Sequence, residues 1–220
     1  MKLIKKIGFL IITSLYITIL DCHLFSSSKI LEPYKSINIL PLDSHGWFSA
    51  ENRNSLKHFI TTYKPKVVVE LGSWLGLSAI FMASLLPSNS VLYAIDNWTA
   101  EGDEAILNNE EAKLKIPTLY QQFLSNVIHT KLTHKIIPMR MSTIEAAQSL
   151  NIHADLIYID ASHDEKSVYN DIIHWHPKLN KGGIMCGDDW LWASVQTAVK
   201  RASSELNLAI KSNGNFWYFE

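Results

Sequence analysis

The stretch Val67-Val68-Val69-Glu70-Leu71-Gly72-Ser73-Trp74-Leu75-Gly76 decides the fold. Three β-branched residues in a row read as a short strand buried on both faces, as in a parallel sheet. The run ends at an acid and a glycine, and a second glycine follows four residues later. Leu77-Ser78-Ala79-Ile80-Phe81-Met82-Ala83-Ser84-Leu85-Leu86 then places apolar residues at helical spacing. Strand, glycine turn and helix in that order make a nucleotide-binding crossover unit. Glycine lets the backbone turn sharply and approach a ligand. The helix start beyond it offers free N–H groups. A dinucleotide site wants G-x-G-x-x-G, and the pattern here is Glu-x-Gly-x-x-x-Gly, which disfavours a nicotinamide-dependent oxidoreductase. The competing assignment is a glycine turn that merely packs strand on helix.

Working outward, Ser90-Val91-Leu92-Tyr93-Ala94-Ile95-Asp96 is a second strand that also ends in an acid. Asp96 lies 20 residues after Gly76. A carboxylate there can accept both hydrogen bonds of a ribose diol, which points to an adenosine ligand. The plainer role is capping the next segment. Trp98 can cover the adenosine or plug the core. Residues 99–115 are acidic and poor in large apolar side chains, and read as a solvated insertion or a substrate loop. Pro117 to Thr130 is a helix, and Lys135 to Met141 a third strand, with Ser142 and Thr143 placed to cap the helix that follows.

Ala154-Asp155-Leu156-Ile157-Tyr158-Ile159-Asp160 is the fourth strand, and Ile184-Met185-Cys186-Gly187 the fifth, ending at Asp188-Asp189-Trp190. Pro177 to Gly183 reads as a turn between them. Ligands of open parallel sheets gather at the carboxyl ends of the strands, where Glu70, Asp96, Asp160, Asp188 and Asp189 all fall. Asp160, Asp188 and Asp189 come from neighbouring strands and can converge on one hard cation such as Mg²⁺, which takes oxygen ligands. His163, three residues past Asp160, can take a proton from a hydroxyl. The competing assignments make Asp188 or Asp189 the N-cap of a helix over Leu191–Leu206, and His163 a surface residue at a helix start.

Four stretches carry a resemblance. Val68 to Gly76, Tyr93 to Trp98, Tyr158 to Asp164 and Gly182 to Trp190 resemble successive motifs of bacterial class I S-adenosylmethionine (SAM)-dependent methyltransferases, and specifically the group that includes macrocin-type sugar O-methyltransferases. The resemblance runs from about Gly46 to Glu220. It implies a doubly wound, Rossmann-like α/β fold with seven strands in the order 3-2-1-4-5-7-6. It also implies a C-terminal antiparallel hairpin, which Leu206–Ser212, Asn213-Gly214-Asn215 and Phe216–Phe219 match.

By the same resemblance Glu70, Gly72, Ser73, Gly76, Asp96, Trp98 and Ser142 bind the cofactor, with Glu70 near its methionine end and Ser142 near the adenine. Asp160, Asp188 and Asp189 hold Mg²⁺, with Asp160 and His163 at the reaction centre. A metal beside the methyl donor lowers the pKa of an acceptor hydroxyl. The expected reaction is O-methylation of a small molecule or glycan. A catalytically silent methyltransferase-like module at the membrane is the alternative from another class.

Composition sets the outer limits. The chain has 220 residues, 47% hydrophobic and 19% charged, which suits one domain with a sizeable core. A net charge of −1 gives no basis for nucleic-acid binding. Only Cys22 and Cys186 occur, so no disulfide framework is expected. Lys2, Lys5 and Lys6 precede an uncharged apolar run from Ile7 to Leu20, so residues 1–22 read as a signal peptide or membrane anchor. That run is short for a span. It would send the domain outward, while the need for SAM favours the cytoplasmic face. Residues 23–43 read as a linker and 44–220 as the methyltransferase domain; self-association is left open.

Overall fold

The structure, a computed structural model, describes residues 31–100 and 108–220. The expected signal or anchor over 1–22, and part of the acidic loop, lie outside the described residues. Among the described residues, no helix is long and apolar enough to cross a membrane.

A seven-stranded sheet runs through the molecule in the order β3-β2-β1-β4-β5-β7-β6. The strands are β1 (Val67–Leu71), β2 (Val91–Asp96), β3 (Ile136–Arg140), β4 (Ala154–Ile159), β5 (Leu179–Gly187), β6 (Ile210–Asn213) and β7 (Phe216–Phe219). The first five are parallel, and β7 is antiparallel to both β5 and β6. Gly214, at φ 59°, forms the hairpin turn with Asn215. The expected sheet order and closing hairpin are both present.

Alternation along the central strands sends successive side chains to opposite faces. Val68, Leu92 and Leu156 pack on one side with helices α1 (Ala50–Tyr63), α2 (Leu77–Leu85) and α4 (Leu119–His129). Val69, Leu71, Ile95 and Ile157 pack on the other with α5 (Thr143–Ser149), α6 (Glu165–Trp175) and α7 (Ala193–Leu206). A six-residue helix, α3 (Glu110–Lys115), stands inside the acidic insertion. The apolar valine run is therefore explained by two buried faces, each contributing roughly 2 kcal/mol per fully buried side chain.

Two expectations are corrected. The described part of the expected linker is packed on the domain. Tyr34 is buried and its hydroxyl donates to the Ile136 carbonyl at 2.9 Å. Leu40 N donates to Ser125 Oγ at 3.0 Å, Gln122 Nε2 to the Pro41 carbonyl at 2.8 Å, and Asp43 N to Asn126 Oδ1 at 3.1 Å. A polar, proline-punctuated segment looks like a tether in sequence because its bonds are made by side chains of α4, about 80 residues away. The second correction concerns Leu179 to Gly183, expected in a turn and found in β5. The register between β4 and β5 shifts there, and Gly182 takes φ 78° within the irregularity.

Candidate active site

Gly72 ends β1 at φ 82°, and a Cβ on it would lie 2.0 Å from the Asp160 carbonyl oxygen. Only glycine lets the turn after β1 pass this close to the end of β4. Gly76, at φ 89°, is the N-cap of α2. Between them Ser73 N and Trp74 N both donate to Asp96 Oδ2 at 2.9 Å, and Trp98 N donates to Asp96 Oδ1 at 2.6 Å. Asp96 thus ties the end of β2 to the glycine turn with two backbone N–H bonds, and the third closes its own loop.

Glu70 is fully buried beneath this turn, where Ser73 Oγ and Ser78 Oγ donate to its two oxygens at 2.5 and 2.6 Å. Burial pushes its pKa up to about 7 against the pull of the two hydroxyls, with Asp96 adding repulsion.

Two cavities open at this edge. One, of about 240 Å³, is lined among others by Gly72, Asp96, Ser142, Thr143, Asp160 and Asp171. The second, of about 530 Å³, is lined by Trp47, Ser73, His163, Asp188, Asp189 and Trp192 among others. Gly72, Trp74 and Asp160 belong to both.

In the second cavity the acids crowd. Asp160, His163 and Asp189 each present a ligand atom within 4.8 Å of the others. His163 Nε2 stands 2.9 Å from Asp189 Oδ2, and its ring stacks on Trp192 with centroids 4.9 Å apart. Asp189 holds φ 60°, a left-handed conformation that aspartate tolerates better than most residues. Asp188 turns inward: its Oδ1 accepts from Asp189 N at 2.6 Å and its Oδ2 lies 3.5 Å from the Tyr158 hydroxyl. Tyr158 in turn accepts from Asn52 Nδ2 at 3.2 Å. Burial, then repulsion from Asp188, Asp189 and Glu70, holds Asp160 well above the usual carboxylate range. Burial and Asp189 push Asp188 up to about 6.

The sequence-predicted residues sort as follows. Gly72, Asp96, Ser142, Asp160, Ser73, His163, Asp188 and Asp189 all line one or both cavities. Glu70, Gly76 and Trp98 lie behind the walls. Trp98 is 3% exposed, donates from Nε1 to the Trp74 carbonyl at 2.8 Å and packs on Tyr120 and Phe123, so of its two expected roles it takes the core one. Neither Asp188 nor Asp189 caps α7, whose N-cap is Trp192. The expected three-acid set is rearranged, with His163 beside Asp160 and Asp189 and Asp188 set deeper. Ser142 does cap α5, accepting from Glu145 N at 3.2 Å.

Sequence reasoning missed Trp74, Trp192 and Asp171. Trp74 takes φ 46°, which no local signal marks. Trp192 was legible only as part of a helix. Asp171 sits within α6, where a lone acid reads as surface.

The fold has counterparts among known proteins. Among solved structures, the fold resembles a caffeoyl-CoA O-methyltransferase candidate from Staphylococcus aureus, with TM-score 0.63, 14% identity, and coverage of 80% of this chain and 85% of that one. It also resembles the O-methyltransferase TomG from Streptomyces achromogenes in complex with SAM (TM-score 0.59, 13% identity, 79% and 80% covered). An O-methyltransferase from Bacillus cereus in complex with SAH (TM-score 0.59, 13% identity, 81% and 84% covered) is a third. These likenesses concern the fold. A family model described as a methyltransferase domain matches residues 69–190, from the middle of β1 to the end of the acid pair, and the chain belongs to that methyltransferase family.

Proposed function

We propose that this protein transfers a methyl group from SAM to a hydroxyl of a small molecule or glycan, with help from Mg²⁺. The observation that carries the reading is the pair of cavities meeting at Gly72, Trp74 and Asp160. Methyl transfer by direct displacement needs donor and acceptor in separate pockets with a shared wall, so that the reacting atoms meet in line. The first cavity, with Asp96 at its edge, suits the adenosine part of SAM. The second suits the acceptor. The S. achromogenes and B. cereus structures carry SAM and SAH and are described as O-methyltransferases, which supports the same choice here.

Within the second cavity, His163 accepts the proton of the acceptor hydroxyl. Asp189 Oδ2, 2.9 Å from Nε2, orients the ring and favours the charge that it gains. Trp192 stacks on one face of the imidazole. The aromatic walls Trp47, Phe48, Trp74 and Trp192 exclude water around the acceptor.

The donor set fits a hard divalent cation: Asp160, Asp188 and Asp189 repel one another, and His163, 2.9 Å from Asp189, offsets only part of that repulsion. Mg²⁺ held by these carboxylates would lower the pKa of the acceptor hydroxyl. His163 serves as base in this reading, while the carboxylates hold the ion. The macrocin-type sugar O-methyltransferases remain the group that we favour within the family.

The test is calorimetric titration of SAM, and separately NAD, into the full-length protein with and without Mg²⁺. We expect SAM to bind and NAD not to, with an acceptor screen to follow. Absence of SAM binding in both conditions would overturn the proposal and return the membrane-module alternative. NAD binding in its place would revive the oxidoreductase.

A further inference from the structure

The edge at which the parallel strands begin lies opposite the two cavities and carries the reverse charge. Every helix-to-strand connection of such a sheet returns to that edge. Here those connections hold lysines. Lys64 and Lys66 lie between α1 and β1, Lys131 between α4 and β3, and Lys181 near the irregular start of β5. All four are exposed. Lys64, Lys66 and Lys181 line one cavity of about 290 Å³. The acid in that cavity, Asp155, is already engaged. Its Oδ2 accepts from Lys66 N at 2.8 Å and Val67 N at 3.0 Å, and its Oδ1 from Asn180 Nδ2 at 2.8 Å. Lys66 Nζ donates to Asn89 Oδ1, a neutral partner that leaves its charge in place. Glu220, just past β7, pairs with Lys211 at 3.2 Å. The net charge of −1 therefore conceals a separation, with lysines at one edge and the acids that close β1, β2, β4 and β5 at the other.

The chain enters the described fold at the same edge. The Tyr34 hydroxyl donates to the carbonyl of Ile136, the first residue of β3, and Lys35 beside it is exposed. The sequence ahead of it holds the uncharged run Ile7 to Leu20, with Lys2, Lys5 and Lys6 before that.

We propose that this edge of the sheet docks on an anionic lipid bilayer, with Lys64, Lys66 and Lys181 at the phosphate headgroups. The apolar run is short for a span. A basic patch beside a short apolar anchor supplies the second attraction that lasting attachment takes. Strands of five or six residues span about 17–20 Å, so both cavities open to solvent about that far from the headgroups. The acids at the far edge are repelled by the same surface, which sets one orientation. The inference does not depend on the methyl-transfer reading.

The experiment is co-sedimentation of the full-length protein with vesicles of phosphatidylcholine alone and of phosphatidylcholine mixed with phosphatidylglycerol. Wild type should prefer the mixed vesicles, and salt should weaken that preference. Each lysine at an anionic surface strengthens binding about fivefold, so Lys64→Gln, Lys66→Gln and Lys181→Gln together should weaken binding to the mixed vesicles about a hundredfold. The corresponding triple glutamate variant should bind more weakly still. Lys113→Glu, Lys166→Glu and Lys200→Glu together change the net charge equally, away from this edge, and should stay within about threefold of wild type. Unchanged circular dichroism and melting curves show that the variants fold. Equal binding of wild type to both vesicle types, or to neither, overturns the inference. So does an equal loss in the edge and control variants, which would reduce the attraction to net charge. Stoichiometric binding of inorganic phosphate that displaces the vesicles would replace the bilayer with a free anion.

Discussion

At the ends of β1 and β2 the acids are held by hydroxyl and backbone donors; at the ends of β4 and β5 they have donors too but also crowd one another. Glu70 has two serine hydroxyls and Asp96 three backbone N–H groups. Asp160, Asp188 and Asp189 face one another, and burial and mutual repulsion raise the first two. The first half of the edge finds donors within its own chain, although burial still raises Glu70 to about 7. The second half is left unfinished, and on the function proposed above a cation brought to it completes it. On that reading one sheet edge combines a frame for the cofactor with a charged centre for the reaction.

The comparison breaks most severely at the seam between the halves. Gly72→Ala forces a Cβ onto the Asp160 carbonyl at φ 82°, and should destabilise the protein by more than about 3 kcal/mol in urea unfolding, with loss of SAM binding. His163→Gln tests the second half alone. It should lower the single-turnover rate on an acceptor found by screening about a hundredfold, with SAM affinity unchanged. A matched fall in SAM affinity would instead place His163 in the cofactor frame.

The unfinished charge has a pH signature. Asp188 titrates near 6 in the fold against an ordinary value of 3.8, so the folded state holds the extra proton between those values. Its contribution to stability is complete below 3.8 and is lost as pH rises to about 6. In chelator, wild type should lose about 2 kcal/mol more stability than Asp188→Asn between pH 4 and 7. Mg²⁺ should reduce that difference, and a pH profile shared by both proteins would remove Asp188 from the charged centre. The first half is tested through one of its donors. Ser78→Ala should cost about 1.5 kcal/mol at pH 8 and less at pH 5, where Glu70, with a pKa of about 7, is protonated.

What could be read in the sequence follows the same division. Runs such as Val67-Val68-Val69 and the acids that close four strands announce themselves, because a parallel sheet must bury its strands on both faces and gather ligands at one end. α1, Ala50–Tyr63, likewise has its stop signal close at hand, with Pro65 just beyond its end. The missed features are those set by distant partners. Asp171 is buried only because Thr143 and the cavity come to it. The Gly182-Gly183 pair sits within β5 because Leu179 and Ile184 on either side of it pair with Ala154 and Leu156 of β4, across the register shift. Trp98 turns inward because Tyr120 and Phe123 of α4 receive it.

Residues 37–43, held against α4, lead straight into Gly46, Trp47, Phe48 and Ser49, which wall the second cavity. That wall lies ahead of residue 69, where the family match begins. If that cavity takes the acceptor, as proposed above, part of its wall is written outside the stretch that marks the family. On that reading substitutions in this leading segment retune which molecule is methylated, and two relatives alike from β1 onward need not share a substrate.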